Sequence, residues 1–127
     1  DEINILQASF RSMHLALEKI TKPFDHIIVD GNRFRTYKNI LSSCIVKGDG
    51  KFMSIAAASI LAKTYRDEYM ESLHHLFPVY RWDSNKGYPT EQHRKAIIEH
   101  GITSFHRKSF TIKNAGIQLA LFDVHVF

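Results

Sequence analysis

The stretch from Lys47 to Phe77 constrains this chain more than any other: a Lys-Gly-Asp-Gly-Lys turn opens directly into the alanine-rich run SIAAASILAKTYRDEYM. From Phe52 to about Ala62 nearly every residue is apolar or small, so a helix here is hydrophobic all round and is expected to be buried. From Lys63 the pattern changes. Tyr65, Tyr69, Met70, Leu73 and Leu76 recur at helical spacing, with Arg66, Asp67, Glu68 and Glu71 between them. The expected element is a core helix whose C-terminal half surfaces. Asp49 stands at its start, flanked by Gly48 and Gly50 and by Lys47 and Lys51, just after the short apolar run Cys44-Ile45-Val46. A carboxylate is thereby placed at a strand-to-helix junction.

Upstream, Leu6, Phe10, Met13, Leu17 and Ile20 form one apolar stripe on a helix that Lys22-Pro23 is expected to end, and core packing is its role. His26-Ile27-Ile28-Val29 follows, bounded by Pro23 and Gly31, with the profile of a buried strand that delivers Asp30 at its C-terminal end. Residues 31–43 have about the length that a crossover between parallel strands requires, with Tyr37 to Leu41 as its helical turn. Parallel pairing puts both strand ends on one edge. Asp30 and Asp49 are then expected to meet at the C-terminal edge of a parallel sheet, where α/β folds hold ligands.

Downstream, Phe77-Pro78 breaks the chain, and Tyr80 to Tyr88 reads as a polar, aromatic-rich loop of the kind that often carries function. Thr90 is a good N-cap, Ala96, Ile97 and Ile98 supply apolar contact and Gly101 is a stop, so the next helix is expected over residues 91–100. His106-Arg107-Lys108-Ser109-Phe110 is a short basic patch, and residues 111–127 form an apolar tail with only Lys113 and Asp123 charged. Two candidate strands among three substantial helices leave a sheet too small to be independently stable. The expected class is therefore α/β with strands missing, upstream of Asp1, and the absence of an initiator Met is read as a truncated N-terminus.

Composition narrows the partners. A formal charge of +4 with eight histidines favours an anionic partner, nucleic acid before membrane, and no apolar run is long enough to span a bilayer. The single cysteine excludes an internal disulfide and a multi-cysteine zinc site and fits a reducing compartment, so a cytoplasmic location is expected.

Four blocks carry a resemblance in order and at matching spacing: VDGNRF, IVKGDGKFMSIAAASILAKTYRDEYM, FPVYRWDSNKGYPTEQHRKAIIEHG and HRKSF. Together they resemble bacterial ribonuclease HII over nearly all of residues 1–110. The family's opening block, a strand with an Asp-Glu pair followed by Gly-Arg-Gly, has no counterpart here. The resemblance implies a ribonuclease H-like fold lacking its first strands, with residues 1–110 as the later part of the catalytic domain and 111–127 as a tail. It implies an endonuclease that cuts RNA in RNA–DNA hybrids and at single ribonucleotides embedded in duplex DNA. Asp30 and Asp49 match two of the four carboxylates that hold its divalent metal, Mg²⁺ or Mn²⁺. Hard ions of this kind prefer carboxylate oxygen, and in a two-metal arrangement they activate the attacking water and stabilise the leaving oxygen, so no protein nucleophile is needed. Tyr88, in Gly-Tyr-Pro-Thr, matches the tyrosine that packs on the sugar at the junction.

Each assignment has a plainer counterpart. An Asp after a strand, taken singly, is usually a turn or cap residue. Asp67 is read as a structural ion-pair partner of Arg66 or Lys63 rather than a metal ligand. Ser59 and Lys63, four apart on the helix, are candidate phosphate contacts with Lys47 and Arg33, or merely solvated side chains. His93, His100 and His106 lie outside any ligand spacing and are surface or packing residues. A non-catalytic nucleic-acid-binding or interaction module shares the basic charge and aromatic loop, yet does not need Asp30 and Asp49 to be close. In the tail, Gln118-Leu119-Ala120-Leu121-Phe122 resembles the peptide with which bacterial repair proteins dock on the sliding clamp; the alternative is packing on the protein's own core.

Overall fold

Asn4 opens the first element: its Oδ1 accepts the Gln7 N–H at 3.0 Å, which caps helix α1, Ile5–Glu18. The structure is a computed structural model that describes residues 2–109, so the tail from 111 onward and the clamp-like peptide Gln118–Phe122 lie outside the described residues. The chain divides into two compact units, one from Glu2 to Lys63 and the other from Thr64 onward.

In the first unit, α1 ends at Glu18 rather than at Lys22, because the Lys19 N–H turns back onto Ala16 and Leu17 carbonyls and closes the helix. Ile20 therefore falls outside it. Of the expected stripe only Phe10 is buried, its ring edge-on to Phe34 at 6.4 Å, while Leu6 and Met13 are exposed. Strand β1, His26–Asp30, pairs in parallel with β2, Leu41–Ile45, with Asp30 opposite Ile45. The parallel pairing matches the sequence expectation. The connection differs. No helical turn forms over Tyr37 to Leu41; Tyr37 is buried, Lys38 takes a left-handed conformation (φ 48°), the Ile40 N–H returns to the Tyr37 carbonyl and Leu41 already pairs.

Helix α2, Met53–Leu76, runs the length the sequence predicts. Its expected burial fails: in the half up to Ala62 only Ile55 is buried, while Met53 is 88% exposed, Ile60 65% and Leu61 56%. An all-round apolar helix needs a partner on every side, and two five-residue strands are too little sheet to provide one. Further along α2, Leu73 is buried and Met70 partly so, whereas Tyr65, Tyr69 and Leu76 are exposed.

In the second unit the residues expected to form a loop instead carry the core. Pro78–Tyr80 forms a 3₁₀ turn and Trp82–Asn85 a short helix, α3, separated by Arg81 in a left-handed conformation (φ 53°). Trp82 is the most enclosed large side chain, 2% exposed, stacked on Tyr80 with ring centres 5.1 Å apart and edge-on to Phe77 at 6.0 Å. Helix α4, Glu91–His100, has the predicted bounds, with Thr90 Oγ1 accepting the His93 N–H at 3.2 Å and Gly101 closing the end. Its inner face, His93, Ala96 and Ile97, covers the Trp82 cluster together with Leu73 and Tyr80.

Candidate active site

Asp30 ends β1 with an exposed side chain whose Oδ1 accepts the Gly48 N–H at 2.8 Å. The parallel ladder reaches past the strand to bring this about, since the Gly31 N–H donates to the Ile45 carbonyl at 3.0 Å. Gly48 opens the 3₁₀ turn Gly48–Gly50 that leads into α2, and it is buried. A Cβ at this position would stand 2.7 Å from Ile55 Cδ1, so the end of that side chain would have to shift, while its 3.5 Å to Asp30 Oδ1 would be ordinary contact. Asp49 is the next residue, exposed, with its Oδ1 accepting the Gly50 N–H at 2.9 Å. The fold thus ties one expected ligand to the backbone beside the other.

The basic residues around this edge behave differently from one another. Lys47 holds a left-handed backbone (φ 55°), an uncommon conformation for a residue with a Cβ and one that gathers at functional sites. Lys51 donates from Nζ to the Val46 carbonyl at 2.9 Å, which fixes the turn from outside. Arg33 lies on the connection after β1, exposed, and lines an open pocket with Asn32, Phe34, Arg35 and Cys44. Ser59 and Lys63 are exposed on α2, one helical turn apart. Asp67 pairs with Arg66 at 3.9 Å, in keeping with the structural role expected for it.

Tyr88 belongs to the second unit, and its ring is 64% exposed. The Arg66 guanidinium stands 5.2 Å from the ring centre, and Arg66 Nη2 donates to the Lys86 carbonyl at 2.8 Å, so one side chain holds both the ring face and the loop before it. The loop is fixed from within by Asn85, 8% exposed, whose Nδ2 donates to the Tyr80 carbonyl at 2.6 Å and whose Oδ1 accepts the Gly87 N–H at 2.8 Å. Sequence reasoning missed Asn85 and Arg66 in these roles. The Asn-Lys-Gly turn signal could have suggested the first; the second joins residues twenty-two apart and has no local signature.

In the short basic patch that begins at His106, the histidine itself takes the packing alternative of the two expected for it. The His106 ring packs 4.8 Å from Tyr80 and 5.2 Å from Trp82, and burial together with the neighbouring His93 pushes its pKa down from 6.5 to about 4. Because the unfolded chain binds that proton more readily, the associated stability is present above about pH 6.5 and is lost as pH falls toward about 4. Half-exposure discounts the effect to about 1 kcal/mol between about pH 7 and pH 5. Urea midpoints should show this slope, and His106→Gln should flatten it; an equal slope in both proteins would remove His106 as its source.

Among the described residues no three His, Cys, Asp or Glu side chains gather as a ligand set. The carboxylates of Asp30 and Asp49 are nonetheless hard oxygen donors, each with its second oxygen left for a cation of the Mg²⁺ or Mn²⁺ type, so the donor chemistry fits a partial set.

A family model for ribonuclease HII matches residues 1–113. The chain belongs to the ribonuclease HII family. The ribonuclease HII of Christiangramia forsetii is 63% identical over 112 residues, 88% of this chain and 57% of its own length. Those of Phocaeicola vulgatus and Bacteroides fragilis are 54% and 55% identical, over 95% and 97% of this chain and 60% and 61% of theirs. This chain therefore spans about three fifths of the ribonuclease HII sequences it matches. The α/β class and ribonuclease H-like fold follow from the family, and the parallel pair β1–β2 with its helices agrees. Among the described residues no helix is long and apolar enough to cross a membrane.

Proposed function

We propose that this chain supplies the later part, residues 1–110, of the catalytic domain of a cytoplasmic, metal-dependent endonuclease acting on RNA–DNA hybrids and on single ribonucleotides embedded in duplex DNA. The observation that carries the reading is the hydrogen bond from the Gly48 N–H to Asp30, which in a ribonuclease HII sequence joins the two expected ligand segments at one sheet edge. Asp30 and Asp49 would hold the cation, which when bound supplies the Lewis-acid charge that phosphodiester hydrolysis requires. Arg33, Lys47, Ser59 and Lys63 would contact the phosphate backbone, fixing register without reading sequence. Tyr88 would stack on the sugar of the ribonucleotide, presenting a ring that is already exposed and backed by Arg66. The tail, with Gln118–Phe122, would dock on the sliding clamp.

Two carboxylates are half the set that the resemblance implies, so the 127-residue chain alone should cut a ribonucleotide-containing duplex little or not at all with Mg²⁺ or Mn²⁺. The same chain joined to the family's opening block should cut it. Comparable cutting by both would show that the carboxylate assignment is wrong. Metal-independent binding with no cutting by either would favour a non-catalytic nucleic-acid module instead.

A further inference from the structure

His93, which is buried, and His106, which is partly buried, form an imidazole pair behind the Tyr88 loop, and fixed donors around it determine where the protons sit. Trp82 Nε1–H donates to His93 Nε2 at 3.2 Å, so that nitrogen is an acceptor and the His93 proton is on Nδ1. Nδ1 lies 3.0 Å from the Tyr88 carbonyl oxygen and donates to it. On the other ring, the Thr103 N–H donates to His106 Nδ1 at 3.0 Å, which leaves the His106 proton on Nε2, 3.2 Å from His93 Nε2. Two donors share one lone pair on His93, as the Thr103 N–H and hydroxyl share that of His106 Nδ1. Every ring nitrogen is thus used in a single pattern, and the low pKa of His106 keeps that ring neutral at neutral pH. His93 is 6% exposed, so water does not compete for it.

Tyr88 is held through its backbone as well as by Arg66 at its ring. Its N–H donates to the Asn85 carbonyl at 2.8 Å, and its own carbonyl accepts from the Thr90 N–H at 2.8 Å as well as from His93. The His93 bond ties the Tyr88 carbonyl to the enclosed Trp82 core, beside the bonds by which Asn85 holds the preceding residues. We propose that His93 is a positioning residue for Tyr88: its Nδ1–H fixes the Tyr88 carbonyl, and with it the direction in which the phenol ring meets a ribose, while Trp82 and His106 fix His93 from behind. The proposal rests on the reading of Tyr88 as the group that packs on the ribonucleotide's sugar.

Two substitutions separate the halves of the imidazole. Asn places an amide N–H near the position of Nδ1 and keeps the bond to the Tyr88 carbonyl, but gives Trp82 and His106 no acceptor. Gln places an amide oxygen near Nε2 and keeps those inner bonds, but loses the one to Tyr88. The quantity to measure, in the full-length nuclease, is the ratio of kcat/KM on a single embedded ribonucleotide to kcat/KM on a long RNA–DNA hybrid. In the hybrid, neighbouring ribonucleotides offer alternative registers. His93→Gln should lower the ratio about tenfold, the scale on which partners that orient a functional group act, with little change in melting temperature. His93→Asn should keep the ratio within about twofold although it is the less stable protein. The opposite order, or no change with either, would overturn the proposal, because a purely structural histidine would make the ratio follow stability. Tyr88→Ala, measured alongside, separates the two claims. A low ratio in Tyr88→Ala with a normal one in His93→Gln ends the positioning role and leaves the reading of Tyr88 intact. A normal ratio in Tyr88→Ala ends both.

Discussion

In the full-length nuclease, Asp30→Asn should lower turnover more than about a hundredfold while leaving the fold and substrate binding in place. The amide keeps an oxygen where Oδ1 now accepts the Gly48 N–H at 2.8 Å, so the junction between β1 and the turn survives. What it loses is the negative charge, and a hard divalent cation binds a neutral amide oxygen far more weakly than a carboxylate. Stability should therefore stay within about 0.5 kcal/mol of the parent, as for most exposed substitutions. Asp67→Asn is the control: its partner Arg66 is 3.9 Å away, so the change should cost at most about 1 kcal/mol of stability and little activity. Steady-state rates and urea melts of Asp30→Asn, Asp49→Asn and Asp67→Asn decide the matter together. A dead Asp67→Asn beside an active Asp49→Asn would transfer the ligand role from residue 49 to residue 67.

The largest loss of stability is expected from Trp82→Ala. The ring is 2% exposed, stacks on Tyr80, meets Phe77 and His106, and donates its only N–H to His93. Truncation removes that burial, opens a cavity among side chains that cannot all collapse into it and leaves His93 Nε2 with one donor fewer; such changes cost about 3–5 kcal/mol. Set against a total of about 5–15 kcal/mol for a typical domain, that is enough to unfold much of the second unit. Trp82→Phe retains an aromatic ring for the stack and should cost about half as much or less, since only volume and one hydrogen bond are lost. Denaturant unfolding measures both. A cost below about 1 kcal/mol for Trp82→Ala would mean that the aromatic cluster is not the core of this unit.

How far the sequence could be read depended on whether the signal was local. Helix α4 was legible to the residue because Thr90 and Gly101 mark its ends chemically, whatever packs around it. Strand β1 and its delivery of Asp30 were legible because a β-branched run between Pro23 and Gly31 has few alternatives. Strand β2 was misplaced toward Cys44-Ile45-Val46: Leu41-Ser42-Ser43 looks polar, and it is extended because Leu41 lies opposite His26 in the neighbouring strand, a fact about register rather than composition. Trp82 was read as a loop residue because its neighbours Arg81, Asp83 and Ser84 are polar, yet a four-residue helix turns it inward among rings from distant segments. The error on α2 is of another kind. Its pattern states correctly what the helix has to hide, but periodicity cannot say how much sheet is there to hide it. For the candidate site, the placing of Asp30 at the end of β1 and of Asp49 before α2 was legible; the contacts that Arg66, Asn85 and His93 make around Tyr88 were not, because each acts through a backbone carbonyl or a ring that sequence spacing does not reveal.

The bond between Asp30 and Gly48 also bears on how such a site can change over generations. It is anchored by the five-residue pairing of β1 with β2, by the Gly31 N–H on the Ile45 carbonyl and by the turn at Gly48, so it places little demand on the exposed side chains of the connection after Gly31. Within that connection Phe34 meets Phe10 and Tyr37 is buried, so these two are held, while the exposed positions Asn32, Arg33, Arg35 and Thr36 can be exchanged at little cost. The connection is also the segment that carries Arg33 and Arg35. Substitutions at those exposed positions would therefore alter the proposed grip on nucleic acid while leaving the junction beside the carboxylates in place.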